Sequence, residues 1–549
     1  MERFQRIIPL LRKNDPIINS LNMCSIEMTE DITDLLIDAL NTNTFISKIV
    51  LHGNKLTESS CNKIFNLIEK SPKLDHLEVI DNNVTDNSIL HLSKVLMKLP
   101  VTRSPINLSL RSNNFGTTGA DALANAISHN SPISWLDLRY NKKIGDKGVE
   151  AIALSLANNT IMTGLDLIKC GCSDLGAAAL ADSLIDNHTL KTLLLQDELT
   201  FNAIHSLGTL FSDPSCSLQA LYLWHCSLTA QLLEVLCNNI RGNNSLTTLA
   251  LSYNRIDDFG GVYLADMILR NKSLIKLHLG ANLFTPTAAG YFGVALSKNT
   301  TLQFLDLSRN FLKSIGIWPI AIALMDNPTL KTLDLRHNKI DASAAEILCE
   351  LIATNTSITV LRLSGNMLDD NTIEMLAKQL QDNTTLKEIE LNTISITSGG
   401  FIALCESLKK NNSLQKISIS GNKITPKSLE HFASLLRKNT ALEVIGMSAC
   451  GIDDEGCKYI AEGITLNSTL SELDISKNFI DNEGAVMLLD AIQGNYSIMK
   501  LDYNENPFIK NDDAEIPNKI ADFLERNNYY QHNTLMKDNA SLVNDSAFI

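Results

Sequence analysis

His225 stands beside Cys226 in this 549-residue chain, and an imidazole that takes a thiol proton makes a nucleophile. Cys170-Gly171-Cys172 has metal-ligand spacing, but the second pair that a tetrahedral zinc site needs is missing. Gly53-Asn54-Lys55 and Gly421-Asn422-Lys423 offer the glycine and lysine of a phosphate loop without the full G-x-x-x-x-G-K-[ST] spacing. Asp306 and Asp334 could form a carboxylate pair if they lay on neighbouring strands. Asn271-Lys-Ser and Asn383-Thr-Thr have the form of glycosylation sequons. None of these needs chemistry to explain it, because each falls on a recurring position of one repeated unit.

The unit is L-x-x-L-x-L-x-x-N-x-L, clearest at Leu330, Leu333, Leu335, Asn338 and Ile340 and again at Leu414, Ile417, Ile419, Asn422 and Ile424. Indexed by its third apolar residue it occurs 18 times, from Met23 to Tyr503, and 15 of the 17 intervals are 28 residues. The exceptions are Val79 to Leu110 (31) and Leu138 to Leu167 (29). The L-x-L core alternates with period two, which predicts a strand whose apolar residues point inward. The Asn, or Cys at Cys170, Cys226 and Cys450, turns the chain and satisfies buried backbone groups. Its position makes Cys226 a buried turn residue rather than a nucleophile, and no catalytic centre, metal site or cofactor is predicted.

The second half of each unit reads as a helix. In Asp341–Ala353, Asp341 is placed to cap and Ile347, Leu348, Leu351 and Ile352 form an apolar stripe. A second recurring Asn follows each helix (Asn243, Asn271, Asn299 and onward), where a left-handed residue is expected to stop it. Glu198 and Ile394 replace the turn Asn in the copies at Leu195 and Leu391, and local irregularity is expected there.

Strand plus helix every 28 residues predicts an α/β solenoid of about 18 units, with a parallel inner sheet, outer helices and a horseshoe curve. Residues 1–17 are expected as an N-terminal capping helix, 18–508 as the array, 509–530 as a C-terminal cap and 531–549 as a mobile tail. The unit, with its full helix and N-x-[ST]-[LI] junction, resembles the ribonuclease-inhibitor-like subclass of leucine-rich repeats over roughly Ile18 to Phe508. That resemblance implies a module that binds a protein partner rather than an enzyme.

Composition narrows the partner. A net charge of −14 disfavours nucleic acid, and no apolar run is long enough for a membrane span. Eleven dispersed cysteines and no secretory opening fit reduced thiols in a cytoplasmic monomer. The richness in Asn, Ile and Lys and the repeats-only layout resemble the leucine-rich-repeat effectors that intracellular bacteria deliver into the host cytosol. The alternative is a GTPase regulator resembling the activator of the Ran GTPase.

Two surfaces are candidates for the partner. Tyr222, Trp224, His225, Tyr253, His278, Phe304 and Arg309 flank strand positions on the concave side, where exposed aromatic and arginine side chains make hot spots. Mixed charges flank them, including Arg111, Asp137, Arg139, Asp334, Arg336 and Arg362, expected to pair with one another in solvent. On the helix side, Trp318 and Ile322 stand where Glu346 and Glu350 mark solvent positions, although Pro319 is expected to delay that helix and turn both inward.

Overall fold

Each L-x-L becomes a short strand because its leucines alternate, and each strand pairs in parallel with the strand of the next repeat. The computed structural model describes residues 2–16, 18–510 and 515–545, and the chain divides into two units, Met1–Asn282 and Leu283–Ile549. Among the described residues the first unit holds ten strands, from Ser20–Cys24 to Lys276–His278, and ten α-helices, from Glu2–Arg12 to Asp258–Arg270. The second holds eight strands, from Phe304–Asp306 to Lys500–Asp502, and nine α-helices, from Pro286–Leu296 to Glu515–Asp545. Within each unit the strands follow chain order in one parallel sheet, and pairs such as Leu333↔Leu361 sit in register 28 residues apart. This is the leucine-rich-repeat solenoid architecture.

The core lies between sheet and helices. Leu330, Leu333, Leu335, Ile340 and Leu348 of one repeat are all fully buried. The turn Asn stitches repeats together, as the buried amide demands. Asn366 Nδ2 donates to the Leu335 carbonyl of the preceding repeat (3.0 Å) and to its own Leu363 carbonyl (2.7 Å). Its Oδ1 accepts from the Asn338 and Ile340 amides at 2.9 and 3.1 Å. Ile394 is buried and keeps strand register, because Glu388↔Lys416 still pair, but its side chain supplies no such bonds. At the other irregular copy Glu198 is exposed, and Asp197 accepts the Cys172 amide at 3.0 Å in the missing Asn's place. Burial pushes the Asp197 carboxyl up from its ordinary range.

The left-handed residue sits elsewhere than expected. Asn271, Asn355 and Asn495 end their helices in extended conformation, with φ of −67°, −72° and −95°. They stop the helix through their side chains. Asn355 Oδ1 accepts the Ser357 and Ile358 amides, and its Nδ2 reaches back to the Leu324 carbonyl at 2.6 Å. The positive φ falls two residues after each indexed position. In 17 of the 18 copies that residue has φ between 49° and 71°, Asp197 being the exception. Only Gly53, Gly365 and Gly421 among them are glycine, so the other side chains are held outward at a cost of about 1 kcal/mol each.

Helices are capped across repeats. Asp86 Oδ1 accepts the Gly116 and Gly119 amides at 2.8 Å, and Asp454 Oδ1 accepts those of Asp481 and Gly484 at 2.8 and 3.1 Å. In the long interval before Leu110, Arg103 replaces the helix-end Asn and donates to the carbonyls of Ile68, Ser71 and Leu74. The terminal helices join the same scheme. Asn43 Nδ2 donates to the Leu11 carbonyl (3.2 Å), and Asn527 Nδ2 to those of Asn495 and Ile498 (3.0 and 2.7 Å). The last helix, Glu515–Asp545, runs past the expected end of the cap at residue 530, since residues 518–545 contain no Gly or Pro to break it. Ile17, 511–514 and the final four residues of the expected tail lie outside the described residues.

Candidate protein-binding face

The solvent side of the sheet carries the strand side chains that alternate with the buried apolar residues, and the outward residue of the following turn. In the first unit this brings together two aromatic pairs. Tyr222 and Trp224 meet edge to face at 5.3 Å between ring centroids, and His225 stacks on Tyr253 at 4.7 Å with 25° between the rings. His225 and Tyr253 occupy the left-handed turn position, with φ of 50° and 59°, which fixes both rings outward. Trp224 was expected to be exposed; it is half-buried, because Tyr222 leans on it, while Tyr253 is 49 % exposed. Burial also raises the Tyr222 hydroxyl above its ordinary range. His278 is half-buried on a strand separated from Tyr222 by the buried Ala250 in register.

Phe304 and Arg309 belong to the second unit. Phe304 is half-buried in the strand Phe304–Asp306, and Arg309 is exposed in a left-handed turn with φ of 54°. The expected residues therefore divide between the two units.

His225 and Cys226 part company. The Cys226 thiol is fully buried, donates to the Leu195 and Trp224 carbonyls, and is pushed up to about 12 by burial. It stays protonated beneath the sheet while His225 lies on its solvent side. Cys170 and Cys172 are likewise buried with thiols raised by burial. Among the described residues no group of three or more His, Cys, Asp or Glu is arranged to hold a metal ion, and no helix is long and apolar enough to cross a membrane.

Arg139, Arg336 and Arg362 are internally paired, with several partners buried rather than solvated, whereas Arg111 forms no ion pair among the described residues and rests on the Tyr140 ring. Arg139 bridges two carboxylates, reaching Asp137 Oδ2 at 2.7 Å and Asp166 Oδ2 at 3.0 Å. Ser109 Oγ adds a bond to Asp137 (2.9 Å). Asp137 and Asp166 are only 4 % and 2 % exposed. Burial raises Asp166 to about 7 despite the Ile168 amide and Arg139, whose guanidinium is committed first to Asp137. In the second unit, Arg336 binds the buried Asp334 (2.5 Å), and Arg362 binds Glu388 and Glu390 at 3.1 and 2.9 Å.

Sequence reasoning missed three features of this face. Trp135 lies over Gly164, where a Cβ would stand 2.0 Å from the indole ring, so glycine makes room for it. Tyr140, 44 % exposed, receives Arg111 at 5.2 Å and Lys169 at 5.7 Å from its ring. Gly446, with no side chain between Ser418 and Asp474, opens a cavity of about 240 Å³ whose walls include Lys416, Glu472, Lys500 and Asp502. A Trp or Gly at the strand position three before the index was a signal for the first and was not read.

On the helix side, Trp318 and Ile322 are 36 % and 56 % exposed. The expected late start does not occur: the helix Lys313–Met325 runs through Pro319, so both residues keep their outward register.

Comparison with known proteins agrees with this architecture. The Leucine Rich repeat family model matches residues 107–124, 129–153, 242–265, 326–349, 410–433 and 466–489. The ribonuclease inhibitor of Mus musculus is 28 % identical over 258 residues, covering 46 % of this chain and 56 % of its own length. These matches support a ribonuclease-inhibitor-like leucine-rich-repeat family for the segments they cover. NACHT, LRR and PYD domains-containing protein 14 of Mus musculus is 29 % identical over 258 residues, covering 46 % of this chain and 26 % of that protein. Protein 12 of the same series from Homo sapiens is 30 % identical over 223 residues, or 39 % and 20 %. This repeat protein thus spans about half the length of the inhibitor and 20–26 % of the larger relatives.

Proposed function

We propose that this repeat protein is a non-catalytic scaffold that holds a protein partner on the solvent side of its sheet. The observation that carries the reading is the pair of aromatic contacts Tyr222–Trp224 and His225–Tyr253. Folding does not require large rings there: the outward turn position is Ala281 or Ala449 in other repeats with the same φ. Two rings fixed by a left-handed backbone offer apolar area with little conformational freedom left to lose on binding. The relatives support protein recognition, since one is named for inhibiting ribonuclease.

All 11 cysteines are free thiols, 10 of them buried, which supports a reducing compartment. The Asn-, Ile- and Lys-rich composition supports an effector acting on a host protein in that compartment. The Trp224→Ala/Tyr253→Ala protein tests the site. Affinity capture from eukaryotic lysate should retain a defined protein on the wild type. The variant should bind it roughly 30-fold more weakly, the effect of losing about 2 kcal/mol at a hot spot. Equal retention by a folded variant would remove the aromatic pairs from the binding face.

A further inference from the structure

The helix side of the second unit changes character at its first two helices. Pro286–Leu296 carries no charged residue, and Lys313–Met325 carries only its first residue, Lys313. Five apolar side chains on this pair face solvent: Tyr291 (43 %), Val294 (67 %), Ile315 (69 %), Trp318 (36 %) and Ile322 (56 %). The helices approach closely. A Cβ on Gly293 would stand 2.5 Å from the Pro319 carbonyl oxygen, and one on Gly316 would stand 3.1 Å from Ala289 Cβ. The exposed residues therefore lie on two abutting ridges and make one apolar surface.

That surface is local. The position of Val294 and Ile322 is polar in each later repeat: Glu350, Lys378, Glu406, Ser434, Glu462 and Asp490. A polar residue at this position is the rule of the later repeats, and a contiguous apolar surface marks an interaction site. One edge of the patch is charged. Glu346 and Glu350 project from the next helix, Ala345–Thr354, at the positions equivalent to Trp318 and Ile322. Both are exposed, they lie one turn apart, and neither forms an ion pair among the described residues.

This edge decides between occupants. A two-fold contact with a second copy that keeps the repeat order would set Glu346 and Glu350 against their own counterparts, and like charges repel. Reversing the order would lay them over the uncharged helix Pro286–Leu296. Either way two carboxylates would be desolvated without a cation, which is costly. An anionic lipid surface would meet the same repulsion. A partner helix with an apolar stripe and lysine or arginine along one flank satisfies both parts of the site.

We propose that the exposed face of helices Pro286–Leu296 and Lys313–Met325 is a second docking surface, which takes a basic amphipathic helix of another protein. Its apolar stripe rests on Val294, Trp318 and Ile322, and its cationic flank faces Glu346 and Glu350. This surface is separate from the strand-side site and is tested without it.

The probe is a fluorescein-labelled synthetic 18-residue leucine/lysine amphipathic helix, titrated with the full chain and read by anisotropy. A leucine/glutamate helix with the same apolar stripe is the counter-probe. The lysine helix should bind and the glutamate helix should not. Ile322→Glu should weaken binding at least tenfold, with thermal unfolding unchanged because the side chain is exposed. Glu346→Lys/Glu350→Lys should exchange the preference and admit the glutamate helix, while Trp224→Ala/Tyr253→Ala should leave it unaltered. Equal binding of both helices, or indifference to Ile322→Glu and to the charge reversal, overturns the proposal. So does a sedimenting dimer, or recruitment to phosphatidylserine-containing vesicles, that Ile322→Glu abolishes, since the patch would then belong to a second copy or to lipid.

Discussion

Asn366→Ala should be among the most damaging single truncations in the array. The side chain is 4 % exposed and makes four bonds, two donated and two accepted. Not all four losses cost the same. The Leu335 carbonyl keeps a second donor in Asn338 Nδ2 at 3.1 Å. The Leu363 carbonyl has no such reserve, because the next repeat carries Ile394 where another Asn would donate. The Asn338 and Ile340 amides lose their acceptor outright. Three buried backbone groups are thus left unpaired, at about 1–3 kcal/mol each before relaxation. Partial re-pairing brings the expected loss to about 3–5 kcal/mol. Asn338→Ala also strips an acceptor, from the Leu312 amide at 3.3 Å, but should cost less, since the carbonyls it serves, Leu307 and Leu335, each keep another amide, from Asn310 and Asn366. Urea unfolding gives the size of the effect, and native-state hydrogen exchange its place. The amides of Asn338 and Ile340 should lose protection first. Asn371→Ala, on an exposed helix position, is the control. If Asn366→Ala unfolds within 1 kcal/mol of Asn371→Ala, or if Asn338→Ala is the worse of the two, the redundancy argument is refuted.

Further outcomes follow from other contacts. Asp166 rises from an ordinary 3.8 to about 7 on folding, so between those values the folded chain binds more protons than the unfolded one. Its contribution to stability must therefore fall as pH rises through that window, by at most about 4 kcal/mol and less where Arg139 compensates. Asp166→Asn should remove this slope, and parallel stability–pH curves for variant and wild type would sink the assignment. Gly164→Val should force Trp135 off its seat and lower stability by about 1–3 kcal/mol, read by denaturation and by a change in tryptophan fluorescence. An unshifted spectrum would mean the ring does not rest there. Asp454→Ala should cost about 1–2 kcal/mol by freeing the amides of Asp481 and Gly484, with exchange accelerated at the start of helix Asn482–Gly494. Unchanged exchange there would contradict the cross-repeat cap.

Period and pattern made the repeat legible because leucines at fixed spacing can be buried only one way. The turn Asn was legible too, since a polar residue in a buried column needs bonds to the neighbouring repeat. The left-handed turn was not, because its position holds His225, Tyr253, Arg309 or Lys477 as well as glycine and so carries no compositional mark. The same blindness hid the depth of Asp166, which resembles any surface carboxylate until its neighbours in adjacent repeats close over it. Pro319 misled in the opposite sense. Its missing amide affects one bond in a helix pinned by close packing against Gly293, and so the helix starts at Lys313 regardless. Trp224 and Tyr222 were placed on the right side of the sheet, but their mutual contact, and hence their partial burial, depends on ring geometry rather than on spacing.

Hydroxyl-radical footprinting of the captured complex tests the central claim most directly, because it reads aromatic side chains on either side of the array at once. The account predicts that partner binding suppresses oxidation of Tyr222, Trp224 and Tyr253, while Leu175 and Phe259 stay reactive; these two are 75 % and 76 % exposed, on the helices Asp174–Asp186 and Asp258–Arg270. Unchanged oxidation at Trp224 and Tyr253, with protection confined to Leu175, Phe259 or other helix residues, would contradict a binding face on the sheet.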